Sequence, residues 1–195
     1  MSSPLLEVKD LQVVVGEENK VLLDGLNLTV NAGETHVLMG HNGAGKSTLM
    51  SALMGDPRYT VTRGQIIFRG QDITHETADV RARAGMFLSF QNPLEVPGLS
   101  LKSFVRSTLA QRTGKRVKLF AFEKQFNEAA ELLQMDPAYG DRDLNVGFSG
   151  GEKKKAEILQ MLLLRPSLAI LDETDSGLDA VSYTHLRAHE TSQDL

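Results

Sequence analysis

The sequence predicts an α/β fold with a helical segment inserted late in the chain. Three observations carry that expectation. Gly40–Thr48 reads Gly-His-Asn-Gly-Ala-Gly-Lys-Ser-Thr, which fits G-x-x-x-x-G-K-[ST] with Gly40, Gly45, Lys46 and Ser47 in the fixed places. The sequence before it breaks into short β-type runs separated by turn residues. After Leu101 the apolar spacing changes to three- and four-residue steps.

Taken in order, Leu5–Val15 alternates and then runs apolar, as a strand does, and stops at Gly16-Glu17-Glu18-Asn19. Val21–Leu23 and Leu26–Val30 read as two further short strands. Asn31–Glu34 turns into His36–Met39, an apolar run that reads as a buried strand delivering the glycine loop. Ser47–Met54 reads as a helix closed by Gly55. Asp56–Tyr59 is a loop, Gly64–Gly70 a strand with its turn, and Thr74–Ala84 polar and helical. Gly85–Phe90 is a strand that delivers Gln91, and Gln91–Gly98 breaks regular structure. From Leu101 to Leu133 the core face comprises Phe104, Leu109, Leu119, Phe120, Phe122, Phe126, Ala129, Ala130, Leu132 and Leu133. Arg112, Lys115, Arg116 and Lys118 read as a solvated helix end. Asp141–Gly147 leads out of the helical segment, and Leu168–Leu171 is an apolar strand ending in Asp172 and Glu173.

The chain has 195 residues, 41% of them hydrophobic, enough for one sizeable domain with a core. A net charge of -4 gives no broad field for nucleic acid. No run is long and apolar enough for a membrane span, and the N-terminus lacks a basic segment followed by an apolar one. A cytoplasmic location without direct membrane insertion is the expectation. Cysteine is absent, so the chain has no disulfide and offers no thiolate to a metal or cluster.

The glycine loop is the first chemical site. Glycines let backbone N–H groups turn inward around phosphate oxygens, and the helix that follows aims its positive end at the same place. Gly40, His41, Asn42, Gly43, Ala44, Gly45, Lys46, Ser47 and Thr48 are therefore candidate ATP-binding residues. Lys46 supplies charge to the β/γ-phosphates, and Ser47 offers a hydroxyl to Mg²⁺. Asp172, at a strand end, is a second candidate Mg²⁺ ligand. Glu173, one residue on, is a candidate for poising water against the γ-phosphate. Ser149, Gly150, Gly151 and Glu152 form a second phosphate cradle at a helix start. Ser149 also reads as an ordinary N-cap whose capping box Glu152 closes, and both readings can hold together. One nucleotide pressed between two such cradles needs two chains, each offering its serine–glycine turn to the other's ATP.

With these motifs in hand, the chain resembles the ATP-binding cassette (ABC) ATPases, a branch of the P-loop NTPases. Gly40–Thr48 looks like Walker A, Gln91 like the Q-loop glutamine and Phe148–Glu152 like the family signature. Leu168–Glu173 looks like Walker B and Ser176–Asp179 like the D-loop. Within the family, the chain resembles the SufC-type ATPases of the SUF iron–sulfur cluster assembly system. Phe90–Gly98, Asn145–Lys154 and Asp172–Asp179 carry that likeness, with Phe148 and Glu152 standing where most transporter cassettes have Leu and Gln. The resemblance implies a core with an N-terminal antiparallel β-subdomain over residues 1–93, an inserted helical subdomain over 94–148, and the signature helix, Walker B and D-loop over 149–179. It implies Mg-dependent ATP hydrolysis using Lys46, Gln91 and Glu173, with Mg²⁺ held by Ser47, Gln91 and Asp172. It also implies an ATP-dependent homodimer and scaffold partners of the SufB/SufD type, docked at the Q-loop region and the helical subdomain. The alternative is the nucleotide-binding subunit of a membrane transporter, with the same chemistry and a different partner.

Two features depart from the family. Val13–Val15 offers no aromatic for stacking on adenine, and His41 replaces the usual proline. Lys153, Lys154 and Lys155 fall in the first turn of a helix, where cations oppose the dipole, so acidic partners are expected; Lys154 or a neighbour restraining Glu173 is one such arrangement. Residues 180–195 break the pattern: the stretch resembles the in-frame translation of a sequencing-library adapter. By that likeness the native C-terminal strands and switch histidine are expected to be missing, His185 and His189 are expected to be poor substitutes for it, and the truncated chain is expected to be impaired as an enzyme.

Overall fold

Leu6, Val8, Leu11, Val13 and Val14 are each no more than 3% exposed, and they draw the N-terminal stretch into a sheet. The structure, a computed structural model, describes residues 4–90 and 93–171. It divides into two compact units, residues 1–88 and residues 89–195.

In the first unit β1 (Leu6–Val15) pairs antiparallel with both β2 (Lys20–Val30) and β3 (Tyr59–Phe68). A two-residue strand, β4 (Gln71–Asp72), completes the order β2-β1-β3-β4. Register is anchored where Leu6 faces Val30 on one side and Phe68 on the other. It slips between Lys9 and Gln12, where Asp10 takes a φ of 45°. That bulge explains how burial passes from Leu6 and Val8 to Leu11 and Val13. Gly64 lies against it: a Cβ there would stand 2.3 Å from Lys9 O, so only glycine fits. The two short strands expected at Val21–Leu23 and Leu26–Val30 are one continuous strand, because the irregular pairing with β1 absorbs Gly25 instead of breaking there.

α1 (Lys46–Leu53) buries Leu49, Met50, Ala52 and Leu53 and packs on β3 and β2. Its far end is held by Arg81 of α2 (Ala78–Ala84), a residue only 2% exposed. Arg81 Nη1 donates to Ala52 O and Leu53 O, each at 2.8 Å, while Nη2 reaches Thr74 O and Nε reaches Glu76 O. A helix C-terminus leaves carbonyls unpaired, and this guanidinium satisfies two of them. α2 is shorter than the helical reading of Thr74–Ala84. Asp72 Oδ1 accepts from Thr74 N, and Thr74 Oγ1 accepts from Ile66 N, so this stretch turns onto the sheet before the helix begins.

The expected buried strand at His36–Met39 is not formed. Residues 35–41 have no regular structure, and Val37 and Met39 are 75% and 89% exposed. A parallel-type strand is stable only with neighbours beside it and cover on both faces. No strand of this unit's sheet pairs with residues 36–39.

In the second unit, α3 (Leu101–Thr113) and α4 (Leu119–Leu132) both pack on α5 (Gly150–Leu164). Leu101, Val105, Phe122, Phe126, Ala130, Ala156 and Leu159 are each at most 1% exposed and form this core. Ser100 caps α3 by accepting from Ser103 N at 3.2 Å. Leu119 and Phe120, expected in the core, are 57% and 87% exposed. The buried stripe of α4 starts at Phe122 and continues through Phe126 and Ala130, and Leu119 and Phe120 belong to its first, open turn. A short strand, β6 (Val96–Ser100), pairs with β7 (Asp143–Leu144), so residues 96–98 are regular where a break was expected. A 3₁₀ turn over Pro137–Asp141 precedes β7. Arg112 is less free than a solvated end: its Nη2 donates to Arg165 O at 3.2 Å. Two four-residue strands, β5 (Met86–Ser89) and β8 (Leu168–Leu171), carry the runs that lead towards Gln91 and Asp172. No described helix is long and apolar enough to cross a membrane.

Arg81→Met removes the guanidinium donor from four carbonyls, of which Ala52 O keeps Gly55 N. It is expected to cost about 2–3 kcal/mol. The denaturant midpoint falls while the slope of the unfolding transition stays the same.

Candidate functional site

The phosphate loop is built by backbone conformation. Ala44 N donates to His41 O at 3.1 Å, closing a turn. Gly43 and Gly45 then take φ values of 85° and 91°, which L side chains rarely adopt. Gly45 is doubly constrained, since a Cβ there would lie 2.6 Å from Leu23 Cδ2 on β2. It is also the N-cap of α1, and no side chain accepts from the first turn of that helix, which contains no acidic residue. The leading N–H groups of α1 are thus left for an acceptor that is not a side-chain cap, and the dipole makes an anion the favoured one.

Lys46 Nζ donates to Gly40 O at 2.6 Å and to His41 O at 3.1 Å. The ammonium is thereby drawn back along the loop that starts at Gly40. His41 is exposed, with Nδ1 3.0 Å from Asn42 O, so that nitrogen carries the proton in this contact. Asn42, Gly43 and Ala44 are exposed as well, Ser47 is exposed, and Thr48 is half-buried. Positive φ at two glycines, an uncapped helix start and an ammonium at the loop fit a nucleotide's phosphates.

The serine–glycine turn is built differently. Ser149 is the N-cap of α5, and a full capping box is present. Glu152 N donates to Ser149 Oγ at 3.3 Å, and Ser149 N donates to Glu152 Oε2 at 2.7 Å. The capping reading therefore holds. The Tyr139 hydroxyl donates to Glu152 Oε1. That bond, with those from Ser149, pulls the Glu152 carboxyl from an ordinary 4.5 down to about 2. The same contact raises the Tyr139 pKa. Arg142 stacks 4.6 Å from the Tyr139 ring centroid and 4.9 Å from that of Phe148. The two rings meet edge to face at 5.0 Å. Arg142 Nη2 also donates to Gly147 O at 3.3 Å. Gly150 and Gly151, in contrast, are exposed and would have nothing within 4 Å of an added Cβ.

Tyr139 and Arg142 were missed by sequence reasoning. They lie on a 3₁₀ turn and just after it, outside any motif, and only the joint departure of Phe148 and Glu152 from the transporter pattern hinted at a supporting contact. The three lysines of α5 do find partners. Lys153 pairs with Glu95 at 2.8 Å, Lys154 with Glu157 at 3.3 Å, and Lys155 Nζ donates to Gln134 O at 3.2 Å. Lys154 thus has an acid of its own in Glu157, while the expected restraint on Glu173 lies outside the described residues. Gln91, Asp172, Glu173, the D-loop Ser176–Asp179 and residues 180–195 lie outside the described residues.

Comparison with known proteins agrees with these motifs. Residues 23–176 match the family described as ABC transporter. "Vegetative protein 296" of Bacillus subtilis is 47% identical over 181 residues, spanning 92% of this chain and 69% of that protein. "Iron-sulfur cluster assembly protein SufC" of Plasmodium falciparum is 43% identical over 184 residues, which cover 92% of this chain and 53% of that protein. Among solved structures, the dimeric post-hydrolysis state of the cassette MJ0796 bound to ADP and Pi has a TM-score of 0.79 at 19% identity, covering 95% of this chain and 83% of that one; this likeness concerns the fold.

Gly45→Ala must place a side chain at positive φ and against Leu23. It is expected to weaken ATP binding by roughly 2 kcal/mol or more, read by calorimetric titration. The second expectation concerns pH. Because the folded pKa of Glu152 is depressed, its contribution to the start of α5 is fully present above about pH 4.5 and lost as pH falls towards about 2. Amide-exchange protection at residues 152–153, relative to the middle of α5, falls through that window, and Glu152→Gln removes the dependence.

Proposed function

Since the chain belongs to the ABC transporter family of ATP-hydrolysing cassettes, we propose that it serves the SUF iron–sulfur cluster assembly machinery as its ATP-binding subunit. ATP closes two copies head to tail, closure rearranges a scaffold of the SufB/SufD type, and hydrolysis resets the pair. A cytoplasmic site of action belongs to the same reading.

The observation that carries this proposal is the serine–glycine turn. Phe148 and Glu152 are held by Tyr139 and Arg142, while Gly150 and Gly151 face open space. Nothing among the described residues requires glycine at those two positions. A neighbour that needs close approach to bare backbone does, and phosphate at a helix N-terminus is that kind of neighbour. The likeness to the Plasmodium SufC protein supports the iron–sulfur branch.

The residues of this chain divide the work. Backbone N–H groups of Gly43–Thr48 and the Lys46 ammonium take the phosphates. Ser47, Gln91 and Asp172 are the proposed Mg²⁺ ligands; the ion, when bound, neutralises charge on the β/γ-oxygens. Glu173 orients and deprotonates the attacking water. Ser149, Gly150 and Gly151 close over the γ-phosphate of the opposite copy. Phe90 and Leu94, 58% and 81% exposed on either side of Gln91, offer an apolar docking point for the scaffold.

Capture of the tagged gene product from its source cell is expected to retain a soluble SufB/SufD-type scaffold. Retention of a membrane-embedded partner would replace this reading with that of a transporter subunit. Gly151→Asp is expected to leave the melting transition within about 0.5 kcal/mol of the parent, as for a surface change. It is also expected to abolish phosphate release. A large loss of stability would mean that the glycine serves the fold instead.

A further inference from the structure

The serine–glycine turn carries an acid beside the two glycines that the proposed function gives to an anion. Glu152 is the third residue of α5, and its carboxylate closes the capping box by accepting from Ser149 N at 2.7 Å. Gly150 and Gly151, the residues between, are exposed and bare. A phosphate drawn to them by the helix start arrives next to a carboxylate, and two like charges in one site repel.

The lysines that follow Glu152 are engaged elsewhere. Lys153 pairs with Glu95, Lys154 with Glu157, and Lys155 Nζ donates to Gln134 O. The Glu152 carboxylate is met instead by Tyr139, whose hydroxyl donates to Oε1. Arg142, stacked 4.6 Å from the Tyr139 ring centroid, adds its positive charge to the same carboxylate. Tyr139, Arg142, Ser149 and Glu152 all belong to the second unit.

A capping box uses one carboxylate oxygen, here Oε2, and a glutamine supplies an equivalent oxygen without the charge. The phenol on Oε1 is therefore surplus to the capping of α5. Its hydrogen bond is the largest cause of the depressed Glu152 pKa, so it favours the anion, and the raised Tyr139 pKa keeps the proton on the phenol. A donor on an anionic oxygen takes up part of its charge, and a carboxylate held at both oxygens cannot turn towards the glycines.

We propose that Tyr139, assisted by Arg142, is a positioning residue for phosphate at the serine–glycine turn: its hydroxyl shields and fixes the Glu152 carboxylate, so that an anion approaches Gly150 and Gly151 without repulsion. The proposal rests on the reading of that turn as a phosphate cradle. Tyr139 touches no phosphate and acts through Glu152.

The test uses mixed pairs in which one copy supplies the phosphate loop and the other the turn. Gly151→Asp, with its loop intact, is held at fixed concentration. Turn donors carrying Lys46→Ala are titrated against it, and ATP-dependent phosphate release is followed. The donors also carry Tyr139→Phe, Glu152→Gln, both or neither, and the melting of each is recorded. Tyr139→Phe keeps the ring and its stacking, so it is expected to melt with the parent. With Glu152 present, Tyr139→Phe is expected to raise the half-saturating donor concentration on the order of tenfold, as for strongly coupled neighbours. Added salt is expected to shrink that factor by screening the repulsion. With Glu152→Gln in place, the same change at Tyr139 is expected to shift the half-saturating concentration less than about twofold. Equal effects of Tyr139→Phe in the two backgrounds, or no effect in either, overturn the proposal and leave Tyr139 as packing for the turn. A Lys46→Ala donor that restores no phosphate release to Gly151→Asp overturns instead the reading of the turn as a cradle for the opposite copy's nucleotide, and the proposal falls with it.

Discussion

Unpaired N–H groups at the start of a helix must find an acceptor, and the whole chain is arranged around two solutions to that demand. α1 begins at Gly45, which has no side chain to offer, and its first turn contains no acid. α5 begins at Ser149, whose hydroxyl and whose partner Glu152 close a complete capping box. The first helix start is left open for an anion from outside. The second is already satisfied at Ser149 and exposes two glycines beside the cap. Both are phosphate sites in the proposed function, but they differ in what they need: the first binds by its own unfilled donors, the second by close approach of bare backbone.

The supports of the two starts differ in the same way. α1 is gripped at its far end by the buried Arg81, while Gly45 is wedged against Leu23, so the helix that carries Lys46 is held at both ends. The turn before α5 is held by stacked groups, with Arg142 against the rings of both Tyr139 and Phe148, and by the hydroxyl of Tyr139 on Glu152. These contacts rationalise why phenylalanine and glutamate occur together in this signature: the ring packs on the guanidinium, and the carboxylate accepts the phenol's hydrogen bond more strongly than a neutral amide would.

Features with local rules were legible in the sequence. The glycine loop, α1 and its closure at Gly55, β1 and the capping box all depend on residues within a few positions of one another. Features that depend on distant partners were not. His36–Met39 has strand composition, but no strand of its unit flanks it, and it is exposed. β6 exists because Val96 meets Leu144, almost fifty residues away. Periodicity correctly marked Phe122, Phe126 and Ala130 as core yet over-extended to Leu119 and Phe120, since a stripe does not announce where its helix begins to be covered. Lys154 was read as a cation in need of an acid; that its acid is Glu157, one turn away and buried, depended on the approach of Ser89 and Phe90. Gln91, Asp172 and Glu173 remain assignments made from their motifs.

The central claim is that Lys46 and Ser149 of one chain serve different nucleotides. Mixing two variants tests it most directly: Lys46→Ala, with a ruined phosphate loop and an intact turn, and Gly151→Asp, with an intact loop and a ruined turn. Each is expected to release no phosphate alone. A mixed pair contains one site built from the intact loop of one copy and the intact turn of the other, so mixing is expected to restore ATP-dependent phosphate release. Continued silence of the mixture, with both variants folded and paired with a wild-type copy still active, would contradict the account by showing that loop and turn act within a single chain.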